Sequence, residues 1–264
     1  MNVLQVAALQ MNLDWHLPAA NRKRAERMLK GLSASPDLIL LPEMFTTGFT
    51  MDAAQHWEEM EGETQQWMQK MANKHQALVG GSLIIREGHD YYNRFLFVSP
   101  DGLLAEYDKR HLFRMGGEHE AYEAGDSWVW VEYKGWRIVP MVCYDLRFPV
   151  WSRNRPQGEE PLAYDLLVYV ANWPDKRVRH WETLLTARAI ENQSYTIGVN
   201  RVGKDGNEIP YSGSSMILDP LGDPMEYNSG EEVLLEASLD PEALQRYRQG
   251  FPIWKDADVF EVYP

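Results

Sequence analysis

Three features of this chain predict a layered α/β fold with mixed sheets. Short, nearly uniform apolar runs, of the kind buried on both faces of a sheet, alternate with amphipathic helical stretches. Several of those runs are joined by tight turns, so antiparallel hairpins share the sheets with parallel crossovers. No linker rich in Pro, Gly or Ser divides the 264 residues, 44% of them hydrophobic, so one core and one domain over 1–264 are expected.

Residues 3–9 open the chain as a strand with little polar alternation. Residues 19–32 read as a charged helix with Ala25, Met28, Leu29 and Leu32 on one stripe. A second buried strand, 37–41, stops at Pro42. A helix at 63–75 turns Trp67, Met68 and Met71 inward and is followed by a strand at 78–85. Gly80 and Gly81 inside that strand predict close backbone packing. Strands at 92–98 and 103–107 flank Ser-Pro-Asp-Gly at 99–102, which has the chemistry of a tight turn. A second hairpin pairs 128–131 with 136–142 across Lys134 and Gly135. Next come a short helix, a strand at 165–170, a long helix at 178–193 and strands at 195–199 and 214–218. A turn at 219–223, a strand at 233–237 and a helix starting at Pro241 lead into an irregular tail from about 250. Residues 153–161 read as a surface excursion.

The formal net charge is −13 with the basic residues scattered, which argues against nucleic acid, where a cationic stripe is the footprint. The N-terminus lacks the basic start and apolar core of a secretory signal, and no apolar run is long enough to cross a bilayer. A single cysteine cannot form an internal disulfide. A soluble, cytoplasmic protein is expected.

That cysteine, Cys143, stands where the apolar run 137–142 ends abruptly in a polar, helical segment. Such a strand end presents a thiol while the N–H groups of the next turn face whatever the sulfur attacks. Two other polar residues are placed alike. Glu43 follows Leu-Ile-Leu-Leu-Pro at 38–42, and Lys109 lies just past the strand at 103–107. The crevice beyond the carboxyl ends of strands is where sites collect in α/β sheets. A carboxylate, an ammonium and a thiol are what amide hydrolysis through a thioester requires. Taken singly, each is more often a solvated loop charge or, for the thiol, an inert core residue.

Leu-Pro-Glu-Met-Phe at 41–45, Tyr-Asp-Lys-Arg-His-Leu-Phe at 107–113 and Val-Cys-Tyr-Asp-Leu-Arg-Phe-Pro at 142–149 resemble the three signature segments of the nitrilase, or carbon–nitrogen hydrolase, superfamily. They occur in that family's order, and the likeness runs from the first strand to about Leu239. Gly-Phe-Thr at 48–50, Ala-Asn-Trp-Pro at 171–174 and Leu-Thr-Ala-Arg-Ala-Ile-Glu-Asn-Gln at 185–193 are most similar to the omega-amidase branch, which hydrolyses the terminal amide of 2-oxoglutaramate.

The resemblance implies a four-layer α-β-β-α sandwich, a Glu43–Lys109–Cys143 triad and a homodimer in which the apolar segment 148–151 offers a surface. It also implies a second glutamate in the loop after the lysine. The family's spacing falls on Glu118, with Glu120 and Glu123 close enough to compete, and Gly116-Gly117 would let that loop fold inward. Lys109 and the backbone N–H of Tyr144 are expected to hold the oxyanion. Asn172, Trp173 and Arg147 are the candidate substrate contacts, Arg147 being at least as well suited to a structural ion pair with Asp145 or a nearby carboxylate. His111 and His119 read as hydrogen-bonding neighbours of the site.

The seven histidines lack metal-ligand spacing, so neither a metal nor a cofactor is expected. The partners expected are a small amide and water. The implied activity is cysteine-dependent hydrolysis of an omega-amide of a 2-oxo dicarboxylic acid. Rival readings are an aliphatic amidase, carbamoylase or nitrilase with the same triad, and a non-catalytic or redox-sensing binding protein.

Overall fold

The architecture is built from thirteen strands in two sheets, seen in a computed structural model that describes residues 1–155 and 162–262. Most of the 153–161 excursion therefore lies outside the described residues. In chain order the first sheet takes β1 (Leu4–Gln10), β2 (Leu38–Leu40), β3 (Leu78–Glu87), β4 (Asp90–Ser99) and β5 (Gly102–Asp108). The second takes β6 (Val131–Tyr133), β7 (Trp136–Val142), β8 (Leu166–Ala171), β9 (Tyr195–Asn200), β10 (Val202–Lys204), β11 (Pro210–Leu218) and β12 (Pro224–Ser229). The last strand, β13 (Val233–Leu239), returns to the first sheet beside β1. The order is β13-β1-β2-β3-β4-β5 in the first sheet and β10-β11-β9-β8-β7-β6 in the second, with β12 on β11. Parallel pairs (β1 with β2, β2 with β3, β7 with β8, β8 with β9) are flanked by antiparallel hairpins, the mixed arrangement expected.

Period-two alternation decides the layers. Leu4, Val6 and Ala8 of β1, with Leu38, Leu40, Phe95 and Phe97, pack against Ile138, Leu166 and Val168 of the other sheet. Leu9, Ile39, Val79 and Leu96 face the other way, onto α1 (Pro18–Met28) and, past the four-residue α2 (Ala53–His56), onto α3 (Glu63–His75), which supplies Trp67, Met68 and Met71. After α4 (Glu118–Ala121) and α5 (Pro149–Ser152), the long α6 (Val178–Asn192) covers the outer face of the second sheet. There Gly198 lets the helix sit close: a Cβ at that position would lie 2.3 Å from Leu185 and 2.8 Å from Trp181. The result is a four-layer α-β-β-α sandwich, closed by α7 (Pro241–Gly250) and a 3₁₀ turn, Ile253–Asp256. Gly80 fulfils its expectation too, since a Cβ would lie 2.8 Å from the ring of Phe95.

The structure departs from the sequence reading in three places. The second hairpin starts at β6, Val131–Tyr133, rather than at 128–131. Lys134 (φ 51°) and Gly135 (φ 81°) make a tight two-residue turn that pairs Tyr133 with Trp136 and leaves 128–130 outside the ladder. The strands β10 and β12 were not expected; β12, Pro-Met-Glu-Tyr-Asn-Ser, is mostly exposed and has no sustained apolar run to read. Finally, segment 148–151 presents less apolar surface than expected. Trp151 turns inward and donates from Nε1 to Tyr107 Oη at 3.0 Å, leaving Pro149 and Val150 exposed.

Candidate active site

Four strand ends meet at one spot between the sheets. β2 runs through Leu41 and Pro42 into Glu43, and the next residue, Met44, takes φ 42° with its N–H held by Ser82 Oγ at 2.9 Å. β5 delivers Lys109, whose N–H is held by the Asn93 carbonyl at 3.0 Å. β8 leads into Asn172. β7 ends in Cys143, which opens a 3₁₀ turn, Cys143–Arg147, with φ 44°. A non-glycine residue in that left-handed region carries roughly 1–3 kcal/mol of strain, tolerated only where the surroundings impose it. Asp145 imposes it here by accepting the Val142 N–H at 2.9 Å, which closes the turn tightly after the strand. The leading N–H groups of such a turn have no acceptor within it, which leaves the Tyr144 amide available to an oxyanion.

Glu43, Lys109 and Glu118 form one buried cluster. Lys109 Nζ lies 3.0 Å from Glu43 Oε1 and 2.8 and 2.9 Å from the two oxygens of Glu118. Asn93 Nδ2 donates to Glu43 at 2.8 Å, and the Phe113 N–H donates to Glu118 at 2.6 Å. Asn172 binds Glu43 twice, its N–H on Oε2 at 2.7 Å and its Nδ2 on the Glu43 carbonyl at 2.6 Å. Gly117, at φ 76°, turns the loop inward so that Glu118 heads α4 in the interior, while Glu120 and Glu123 remain exposed. Glu118 is thus the glutamate at the lysine, not its two neighbours.

Electrostatics follow from this arrangement. Burial alone would push the Lys109 ammonium down, but Glu118 and then Glu43 outweigh it and hold the group above the ordinary lysine range. Burial pushes the Glu118 carboxyl up, with Lys109 opposing the shift. The Cys143 thiol hydrogen-bonds to Glu43 and is raised well above a free thiol, first by burial and then by the Glu43 charge, against the pull of Lys109. These causes favour a neutral thiol at Cys143, within hydrogen-bond reach of Glu43.

Cys143 and Lys109 open into a cavity of about 420 Å³, within the range of small-molecule sites. Tyr144, Arg147, Asn172 and Trp173 line it too, together with Arg177 and Tyr211. Arg147 does not pair with Asp145, which corrects that alternative: its guanidinium lies 3.3 Å from His180 Nδ1 and 4.6 Å from the centre of the Trp173 ring. Asp145 is occupied instead by Val142, Tyr107 and His111. The pK of Arg147 is lowered by burial and by the nearby cation Arg177. Among the described residues neither arginine has a carboxylate partner. His111 lies 2.8 Å from Asp145 through Nδ1, the neighbouring role expected of it, whereas His119 is exposed.

Sequence reasoning missed Asn93, the Phe113 N–H and Arg177. Asn93 sits mid-strand with no motif around it, and a backbone N–H has no residue-type signal. Arg177 lay within reach, because it follows Asn-Trp-Pro by three residues, just before α6.

A carboxylate, an ammonium and a strained thiol gathered at one cavity define an amidohydrolase that works through cysteine. The chain belongs to the carbon–nitrogen hydrolase family, whose model matches residues 5–249. It is 48% identical over 261 residues to an omega-amidase of Yersinia enterocolitica, covering 98% of this chain and 99% of that one. It is 32% identical over 254 residues to a 2-oxoglutaramate amidase of Bacillus subtilis, covering 95% and 96%. In structure it resembles a superfamily protein of Xanthomonas campestris whose active site carries an arsenic adduct: the TM-score is 0.97 at 44% identity, over 99% of this chain and all of that one. Yeast Nit3, of the nitrilase superfamily, shares the fold with a TM-score of 0.83 at 24% identity, over 96% and 95%.

Proposed function

We propose that this enzyme hydrolyses the terminal amide of a small 2-oxo dicarboxylic acid monoamide, such as 2-oxoglutaramate or 2-oxosuccinamate, releasing ammonia. The observation that carries the substrate class is the pair Arg147 and Arg177, two cations without carboxylate partners among the described residues, in the cavity that holds Cys143. A substrate carboxylate supplies the missing charge, and the amide end then reaches the thiol. The similar omega-amidases support the same reading.

The chemistry runs in two halves. Glu43 takes the thiol proton as Sγ attacks the amide carbon, and the carbonyl electron pair moves onto oxygen. Lys109 and the Tyr144 N–H hold that oxyanion, each such donor being worth roughly 3–4 kcal/mol of barrier. The oxyanion collapses, the C–N bond breaks, and Glu43 returns its proton to the departing nitrogen as ammonia. Water then gives a proton to Glu43 and attacks the thioester. Collapse of the second oxyanion frees the carboxylic acid, Glu43 returns its proton to the sulfur, and the released acid gives up its own proton to solvent. Glu118 keeps Lys109 charged and aimed throughout.

We place the enzyme in the cytoplasm as a homodimer, with a small amide and water as its partners and no nucleic acid. The exposed Pro149 and Val150 beside the site favour an interface there, and light scattering at micromolar concentration that returns a monomer would refute it. Among the described residues no helix is long and apolar enough to cross a membrane. Ammonia release across 2-oxoglutaramate, a neutral amide of similar length, nitriles and carbamoyl amino acids tests the substrate. Turnover of 2-oxoglutaramate no faster than of the neutral amide removes the omega-amidase reading and leaves an aliphatic amidase.

A further inference from the structure

We infer that Asp145 is a positioning residue that sets Cys143 and Lys109 at their working separation by tying the two sheets together at the reacting point; this rests on the hydrolytic reading above. Asp145 is fully buried, two residues past the nucleophile. Its Oδ2 accepts the N–H of Val142 at 2.9 Å and the hydroxyl of Tyr107 at 2.8 Å. Its Oδ1 accepts the N–H of His111 at 3.0 Å and lies 2.8 Å from His111 Nδ1.

These partners lie on both sides of the active site. Val142 immediately precedes Cys143 at the end of β7, in the second sheet. Tyr107 and His111 bracket Lys109, the first at the end of β5 in the first sheet. One carboxylate therefore holds the backbone next to the nucleophile and the segment on either side of the lysine. Tyr107 extends the tie, since its oxygen also accepts the N–H of Arg110 at 3.3 Å and Nε1 of Trp151 at 3.0 Å. His111 is fixed from the other side by stacking on Phe148, 3.8 Å between ring centres and 8° from parallel.

An asparagine cannot substitute for this carboxylate. Either orientation of its amide turns an N–H₂ toward the N–H of Val142 or the N–H of His111. One strand end is then released and the lysine and sulfur drift relative to each other. A misplacement of ~1 Å can cost on the order of 100-fold in rate.

The test combines Asp145→Asn with the milder Tyr107→Phe, which keeps the carboxylate and removes one bond to it. Asp145→Asn should lower kcat about 100-fold, with KM within roughly threefold of wild type, well below its unfolding temperature. Tyr107→Phe should lower kcat about tenfold, the effect of one hydrogen bond. The pH profile of Cys143 alkylation by iodoacetamide supplies a readout without substrate. It should move to higher pH in Asp145→Asn, because the lysine cation no longer favours the thiolate. Unchanged kcat and unchanged alkylation in both variants overturn the inference, as does a loss that merely follows the unfolded fraction. If wild type turns over no amide and the profile still moves, the hydrolytic reading falls and the positioning role stands.

Discussion

The ammonium of Lys109 bonds both carboxylate oxygens of Glu118, at 2.8 and 2.9 Å, while keeping a 3.0 Å contact to Glu43. The second glutamate thus shares with the first the balancing of a buried cation. Glu118→Gln should lose at least about two orders of magnitude in kcat/KM, roughly 2.7 kcal/mol. Glu120→Gln and Glu123→Gln, altering exposed side chains, should stay near wild type. Equal and small effects at all three in steady-state kinetics would return Glu118 to a structural role.

Removing the cation should expose the same balance as a pH effect. Lys109→Met leaves two carboxylates buried together, at a cost of about 3–5 kcal/mol near neutral pH. The Glu118 carboxyl, already pushed up by burial, then loses the opposing pull of Lys109, so the folded form binds more protons than the unfolded chain, and stability should fall as pH rises from about 4.3 toward neutrality. Thermal unfolding against pH checks this, and Glu118→Gln in the same background should flatten the slope. Lys109→Arg should also lose activity, because a planar fork cannot replace a compact ammonium in so closed a space. Glu43→Gln added to Lys109→Met should cost little further activity, since the triad acts as a unit.

How much of this was legible in the sequence depends on the kind of signal. Buried strands such as β1, β2 and β8 were readable because both faces are covered and the runs are apolar; α3 was read to the residue. Glu43 and Cys143 were readable because each ends such a run, and Lys109 because it follows a strand whose own faces are mostly open. Glu118 required the family's spacing, since a glutamate in an acidic loop has no local mark of burial. Asn93 and Asp145 act through distances between elements far apart in the chain, 50 residues from Asn93 to Glu43 and 38 from Tyr107 to Asp145, which no local pattern encodes. The strand β12 escaped for the opposite reason, being exposed at an edge with no sustained apolar run.

The paired arginines predict charge selectivity. Arg177→Ala and Arg147→Ala should each raise KM for an anionic omega-amide by roughly 10- to 100-fold, the range of a hydrogen bond to a charged group. For a neutral amide of equal length KM should hardly move. Parallel losses on both substrates would mean that the arginines shape the cavity without reading the carboxylate.

The raised thiol predicts slow alkylation at rest. With Cys143 held well above the free-thiol range by burial and Glu43, the iodoacetamide rate should rise only above the pH at which a free cysteine titrates, about 8.5. Glu43→Gln, by removing the adjacent negative charge, should bring that rise to lower pH. A wild-type profile rising well below the free-thiol range would show a resting thiolate and contradict the proton transfer to Glu43.

The central claim is an acyl group carried on Cys143 between the release of ammonia and the attack of water. Rapid quenching of the enzyme in acid during turnover of 2-oxoglutaramate, followed by mass spectrometry of the peptide holding Cys143, measures it directly. This peptide should gain the mass of the substrate less ammonia, and Cys143→Ala should show neither the adduct nor turnover while remaining folded. Ammonia release that continues in Cys143→Ala, or turnover in wild type with no adduct on that peptide at any quench time, would contradict it.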